Sequence, residues 1–107
     1  MDWKRVCRLA EIPTGGTRDV AVDGGRALVC RVGESEVYAI ENACTHDQGL
    51  LGAGLLYGHV IECPRHGAEF DVRSGAVLRL PAVVPLRTFP TRLSDGWVEI
   101  AEEVEPW

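Results

Sequence analysis

Cysteine and histidine occur as mixed pairs at two places in this 107-residue chain, Cys44-Thr45-His46 and, sixteen residues later, Cys63-Pro64-Arg65-His66. In extended backbone, residues two apart point to the same side, so Cys44 and His46 face one way together. Cys63 and His66 are separated by Pro64-Arg65, which suits a tight turn that brings both side chains round to one side. Each segment therefore offers one thiolate and one imidazole to a shared centre. Four donors of this kind suit a tetrahedral Zn²⁺ or an iron–sulfur cluster. Structural zinc sites usually set two cysteines on one element and two histidines on another. If two sulfide-bridged irons were held, with both cysteines on one and both histidines on the other, each loop would have to reach both metals. Mixed pairs supply that reach.

The other chemically capable residues point elsewhere. Cys7 and Cys30 lie in apolar stretches, Val6-Cys7-Arg8-Leu9 and Leu28-Val29-Cys30-Arg31-Val32, and are expected as buried core thiols. His59 falls outside both pairs and is read as a surface residue or as a support behind a ligand. No independent Ser-His-Asp or Cys-His nucleophile is visible, and the matched second pair makes shared metal binding a simpler account of Cys44 and His46 than catalysis. No phosphate-cradling glycine loop opens a helix, so nucleotide binding is not expected. Asp47, Glu62, Glu69 and Asp71 flank the loops and suit either the steering of a partner or a solvated rim. Trp3, Trp97 and Trp107 are read as core or edge aromatics.

Short strands must carry these loops, because no segment sustains a helical period over three turns. Thr17 to Val22, then Asp23-Gly24-Gly25, then Ala27 to Val32 reads as a hairpin, since glycines accept the positive φ of a tight turn. A further strand is expected at Glu36 to Ile40, and a hairpin joins Phe89–Leu93 to Trp97–Ile100 across Ser94-Asp95-Gly96. Between residues 42 and 68 glycine is dense, and only Val60-Ile61 reads as a strand core. That stretch is expected to form a lobe inserted into a small antiparallel β-sandwich or barrel. Leu80 to Pro85, stiffened by two prolines, is a candidate cover over the lobe or a plain connector. Glu102 to Trp107 reads as a solvated tail. The fold class is all-β in a single domain, 1–107, with the lobe at about 42–85.

Composition limits the function. With 46% hydrophobic and 25% charged residues the chain is that of an ordinary globular domain. No apolar run approaches the roughly 20 residues needed to span a bilayer. Met1 to Val6 lacks the apolar core of a secretory signal, so a cytoplasmic location and reduced thiols are expected. Sixteen acidic against eleven basic side chains give a net charge of −5, which argues against nucleic acid as a partner.

Taken with their surroundings, the pairs Cys44-Thr45-His46 and Cys63-Pro64-Arg65-His66-Gly67 resemble the Rieske [2Fe–2S] proteins, in which histidines replace two cysteines on one iron. The hairpins before Cys44, Phe70-Asp71 to Ser74-Gly75, Pro81-Ala82 with Pro85-Leu86, and the Asp95-Gly96 hairpin are similar to the layout of small bacterial Rieske ferredoxins. The resemblance implies the Rieske fold and one [2Fe–2S] cluster on Cys44, His46, Cys63 and His66. It also marks departures. Rieske proteins of cytochrome bc complexes have a disulfide between the loops, at positions matching Gly49 and Arg65 here. They have serine and tyrosine donors to the cluster sulfurs where this chain has Ala68 and Phe70. Hydrogen bonds to sulfur raise the potential, so the lower part of the Rieske range is expected, towards about −150 mV. Leu80 stands where many of these ferredoxins have glycine.

What the resemblance implies about function is an electron carrier and not an enzyme in its own right. The carrier takes electrons from a flavoprotein or iron–sulfur reductase and passes them to a Rieske-type non-haem iron oxygenase, often one acting on aromatic compounds. A transient carrier of this size is expected to be a monomer. Two alternatives stand beside it: a small Rieske protein of another redox system, and a zinc-stabilised interaction module without redox activity.

Overall fold

The computed structural model describes residues 2–52 and 54–101. In chain order the strands are β1 Trp3–Arg8, β2 Thr17–Val22, β3 Gly25–Arg31, β4 Val37–Glu41, β5 Leu55–Tyr57, β6 Val60–Glu62, β7 Glu69–Asp71, β8 Val77–Arg79, β9 Thr88–Phe89, β10 Thr91–Ser94 and β11 Trp97–Ala101. One 3₁₀ turn, Leu9–Glu11, is the sole helical element among the described residues. Three antiparallel sheets result, ordered β1-β11-β10, β2-β3-β4-β9 and β5-β6-β7-β8. The solvated tail expected at Glu102 to Trp107 lies outside the described residues.

The middle sheet is the organising layer, because its two inner strands are buried on both faces. Ala27 and Val29 of β3 and Ala39 of β4 join Cys7, Ile12, Val20, Phe89, Val98 and Ile100 in one apolar cluster against the first sheet. Leu28, Cys30 and Ile40 point the other way, into a second cluster with Leu51, Leu56, Ile61, Phe70, Val72, Ala82 and Leu86. Period-two side chains of a single strand thus serve two cores. Cys7 and Cys30 are buried, one in each cluster, as their apolar surroundings suggest. Burial pushes the Cys30 thiol up to about 12, which keeps it protonated and inert.

The outer face of the first sheet is closed by charge and aromatic stacking. Glu99, only 6% exposed, accepts from Arg92 at 2.7 Å and Arg5 at 3.3 Å, and the Arg92 bond chiefly holds its carboxyl below the usual range. Arg92 stacks on Trp3 and Arg8 on Trp97, each 4.3 Å from the ring centroid. Two of the tryptophans are therefore edge aromatics under arginine. Trp107 lies outside the described residues.

Two details differ from the sequence expectation. Phe89 to Leu93 is not one strand: Pro90 has no N–H for a ladder and divides it. Thr88–Phe89 pairs with β4, whereas Thr91–Ser94 forms the hairpin with β11. In the glycine-rich stretch, Leu55–Tyr57 is a second strand beside Val60–Glu62. Three residues between Gly54 and Gly58 are too few for a period-two pattern to be read. Gly54 is required there, since a Cβ would lie 1.9 Å from the Glu62 carbonyl oxygen.

Asn42, at the end of β4, fixes the lobe to the middle sheet. It is 4% exposed, its Oδ1 accepts from the Leu51 and Gly52 N–H groups at 2.9 and 3.0 Å, and its Nδ2 donates to Asp19 at 2.8 Å. His59 supplies a second tie: its Nε2 lies 2.7 Å from Glu36 Oε2, which also accepts from Tyr38 at 2.5 Å. Asn42→Ala leaves two backbone donors without their acceptor. It is expected to cost about 1–3 kcal/mol, lowering the thermal midpoint by about 4–8 °C per kcal/mol in a domain of this size. An unchanged midpoint in a thermal melt would contradict the anchoring role.

Candidate metal centre

Both Cys-His segments fold into the same hydrogen-bonded turn. In the first, the Cys44 N–H donates to the Gly49 carbonyl and the Gln48 N–H to the Cys44 carbonyl, both at 2.7 Å. In the second, the Cys63 N–H donates to Ala68 at 2.7 Å and the Gly67 N–H to Cys63 at 3.1 Å. The fourth residue after each cysteine is left-handed, with φ of 64° at Gln48 and 74° at Gly67. Glycine takes this conformation without penalty, which accounts for Gly67 directly after His66. Gln48 holds it against a cost of order 1–3 kcal/mol, as sites fixed by their surroundings do.

The turns bring the four predicted residues to one end of the lobe, in two unequal pairs. Cys44 and Cys63 are fully buried, whereas His46 and His66 are exposed, with their rings edge-on and 5.1 Å apart between centroids. The cysteine sulfurs and an Asp47 carboxylate oxygen lie within 4.8 Å of one another, and neither imidazole belongs to that group. Burial pushes the Cys44 thiol up, while the His46 and Asp47 backbone N–H groups against its sulfur pull the other way.

This division tests what the donors fit. A single tetrahedral zinc, with bonds of about 2.0–2.3 Å, draws all four donors to roughly 3.3–3.8 Å of one another. Here the sulfurs cluster inside and the nitrogens outside, an arrangement suited to two adjacent metal positions of unlike ligation.

Apolar residues close the sulfur side. Ala68, Phe70, Leu51, Ala82 and Leu86 share the buried cluster with Cys44 and Cys63, so positions 68 and 70 present no hydroxyl to the sulfurs. The Leu80 to Pro85 segment packs as a cover: Ala82 is fully buried, and Thr45 Oγ1 donates to the Val84 carbonyl at 2.5 Å. Around it, Leu50, Leu80, Val83 and Val84 are 54–77% exposed.

Two of the four carboxylates that flank the loops are paired with arginine, Asp47 with Arg65 and Asp71 with Arg73. Glu69 accepts from the Tyr57 hydroxyl and lies 4.0 Å from Arg79. Arg65 chiefly holds the Asp47 carboxyl well below the usual carboxylate range, and Asp47 lies 3.4 Å from His66 Nδ1. His59 is not among the donors; it serves the Glu36 tie. Sequence reasoning missed Asn42 and the Asp47–Arg65 pair, and only their places beside the cysteine turns marked them.

Comparison with known proteins agrees with this geometry. Residues 2–90 match the Rieske [2Fe–2S] domain. Ferredoxin CarAc of Metapseudomonas resinovorans is 40% identical over 102 residues, covering 94% of each chain. The ferredoxin component of biphenyl 2,3-dioxygenase from Rhodococcus jostii (strain RHA1) is 47% identical over 93 residues, covering 87% of this chain and 86% of that one. A chain in the solved complex of reduced oxygenase and oxidized ferredoxin in carbazole 1,9a-dioxygenase superposes with a TM-score of 0.87 at 38% identity, covering 96% of this chain and 97% of that one. Paired Cys-His turns at the tip of a three-sheet domain and these likenesses agree: the chain belongs to the Rieske [2Fe–2S] domain family.

Proposed function

We infer that this protein is the electron-carrying ferredoxin of a Rieske-type oxygenase system, not its catalytic enzyme. One [2Fe–2S] cluster is its cofactor, and we propose that Cys44 and Cys63 hold the inner iron and His46 and His66 the outer one. The observation that carries this assignment is the split between two buried sulfurs and two exposed imidazoles. When bound, the cluster stores and releases one electron.

The chain's own residues make that store accessible on one side. His46 and His66 reach solvent and form the edge through which an electron enters and leaves. Phe70, Leu51 and Ala82 exclude water from the sulfurs. Exposed Leu50, Leu80, Val83 and Val84 form an apolar rim beside the imidazoles, on which an oxygenase docks transiently. Aromatic ring oxygenases are the acceptor class that the names of the naphthalene and biphenyl dioxygenase relatives support. A flavoprotein or iron–sulfur reductase is the donor, the working form is a monomer, and the compartment is the cytoplasm. No helix among the described residues is long and apolar enough to cross a membrane. A non-redox zinc module is disfavoured by the separation of the imidazoles from the sulfur group.

Ala68 and Phe70 leave the sulfurs without side-chain hydroxyl donors, and this supports a potential in the lower part of the Rieske range, towards about −150 mV. Ala68→Ser is expected to raise it, read by a spectroscopic redox titration; no rise, with the new hydroxyl seen bonded to sulfur, contradicts the argument. His46→Cys or His66→Cys moves the ligands towards all-thiolate and is expected to lower the potential or abolish the cluster. An unchanged potential would remove that histidine from the ligand set. Val83→Asp places a charge on the docking rim. It is expected to slow reoxidation of the reduced protein by an aromatic-ring oxygenase roughly tenfold, the effect of about 1.4 kcal/mol, with the potential unchanged. Stopped-flow absorbance reads the rate, and an unaltered rate counts against docking through this rim.

A further inference from the structure

One side chain bridges the two cysteine turns. Arg65, two residues after Cys63, crosses to the first turn and donates to both Asp47 oxygens, from Nε at 2.6 Å and from Nη2 at 3.1 Å. Its Nη1 donates to the Leu50 carbonyl at 3.2 Å, and Nη2 also lies 3.4 Å from Cys63 Sγ. Asp47 is held in turn by the Gly49 N–H at 2.9 Å. The guanidinium lies directly over Gly49: a Cβ there would be 2.3 Å from Cζ and 2.4 Å from Nη2. Glycine at 49 is therefore the space that the arginine fills, and positions 49 and 65 form one unit.

We propose that Arg65 is a positioning residue with two effects: it clamps the two ligand turns together without a covalent bond, and it raises the cluster's potential through its charged N–H on Cys63 Sγ. The proposal rests on the ligand assignment above. The clamp follows from geometry, because a planar guanidinium forked onto a carboxylate fixes orientation as well as distance. The electrostatic effect follows from sign. Reduction adds negative charge at the centre, and a cation at 3.4 Å from a ligand sulfur favours the reduced form, whereas the Asp47 carboxylate on the same unit opposes it. The arginine side chain is 36% exposed, so solvent screens part of the interaction. As an ion pair the clamp is also indifferent to the thiol–disulfide poise that would open a cystine.

The two members of the pair must then shift the potential in opposite directions, which a purely structural role does not produce. Arg65→Leu, Arg65→Lys and Asp47→Asn are to be purified with cluster and titrated by visible spectroscopy. At a fixed poised potential, Arg65→Leu is expected to lower the reduced-to-oxidised ratio by up to about tenfold, equivalent to 59 mV for one electron. Arg65→Lys, which keeps the charge but loses the fork, should lower it less, and Asp47→Asn should raise it. Both Arg65 variants should lose cluster faster than wild type in the presence of a chelator. Should Arg65→Leu retain no cluster, Arg65→Lys and Asp47→Asn carry the same comparison. Shifts of the same sign for the arginine and aspartate variants, or no shift in either, overturn the proposal. Wild-type protein without a cluster spectrum would instead defeat the ligand assignment, so the two failures are distinguishable.

Discussion

Two cysteines must be buried side by side while two histidines, on the same pair of turns, stay in solvent, and the rest of the structure serves that constraint. Short turns cannot meet it alone. Each is pinned by its own pair of backbone hydrogen bonds about a left-handed residue, Gln48 in one and Gly67 in the other. The first lies between β4 of the middle sheet and β5 of the lobe sheet, and the second joins β6 to β7 of the lobe sheet, whose inward residues, Leu56, Ile61 and Phe70, pack on the back of the middle sheet through Leu28, Cys30 and Ile40. The middle sheet can offer that back because its other face is already covered by the first sheet. A strand pair buried on both faces is what lets a chain of 107 residues support a base core and a site core together.

Polar groups hold the layers in register where apolar packing alone would allow sliding. Asn42 satisfies two backbone donors just after the first turn, at Leu51 and Gly52, and reaches Asp19 on β2. The Glu36, Tyr38 and His59 cluster joins the turn between β3 and β4 to the turn between β5 and β6. Arg65 and Asp47 join one cysteine turn to the other. The tip that carries the imidazoles presents exposed Leu50, Leu80, Val83 and Val84 together with His46 and His66. Such a surface suits a brief encounter that brings the imidazole edges close to a partner.

Much of this was legible in the sequence, and what was not has physical reasons. Cys44, His46, Cys63 and His66 could be read because unlike soft donors at these spacings have few other uses, and the structure gathers them at one end of the lobe. The hairpin at Asp23-Gly24 was visible because the turn demands glycine at positive φ. The break at Pro90 was equally present in the sequence, since proline cannot donate to a ladder, yet the surrounding alternation masked it. Leu55–Tyr57 escaped because a three-residue strand carries no period. The anchoring by Asn42 and the pairing of Asp47 with Arg65 escaped for another reason: the partners are nine to twenty-three residues apart, and nothing local distinguishes a buried asparagine or a bridging arginine from a solvated one.

The central claim is that one iron lies on buried sulfurs and its neighbour on exposed imidazoles, making the protein a one-electron carrier. Metal and sulfide analysis of the purified protein, with an EPR spectrum after dithionite reduction, tests it most directly. The account predicts two irons and two sulfides per chain and a single unpaired spin on reduction. A colourless protein with one zinc, no sulfide and no EPR signal would contradict it.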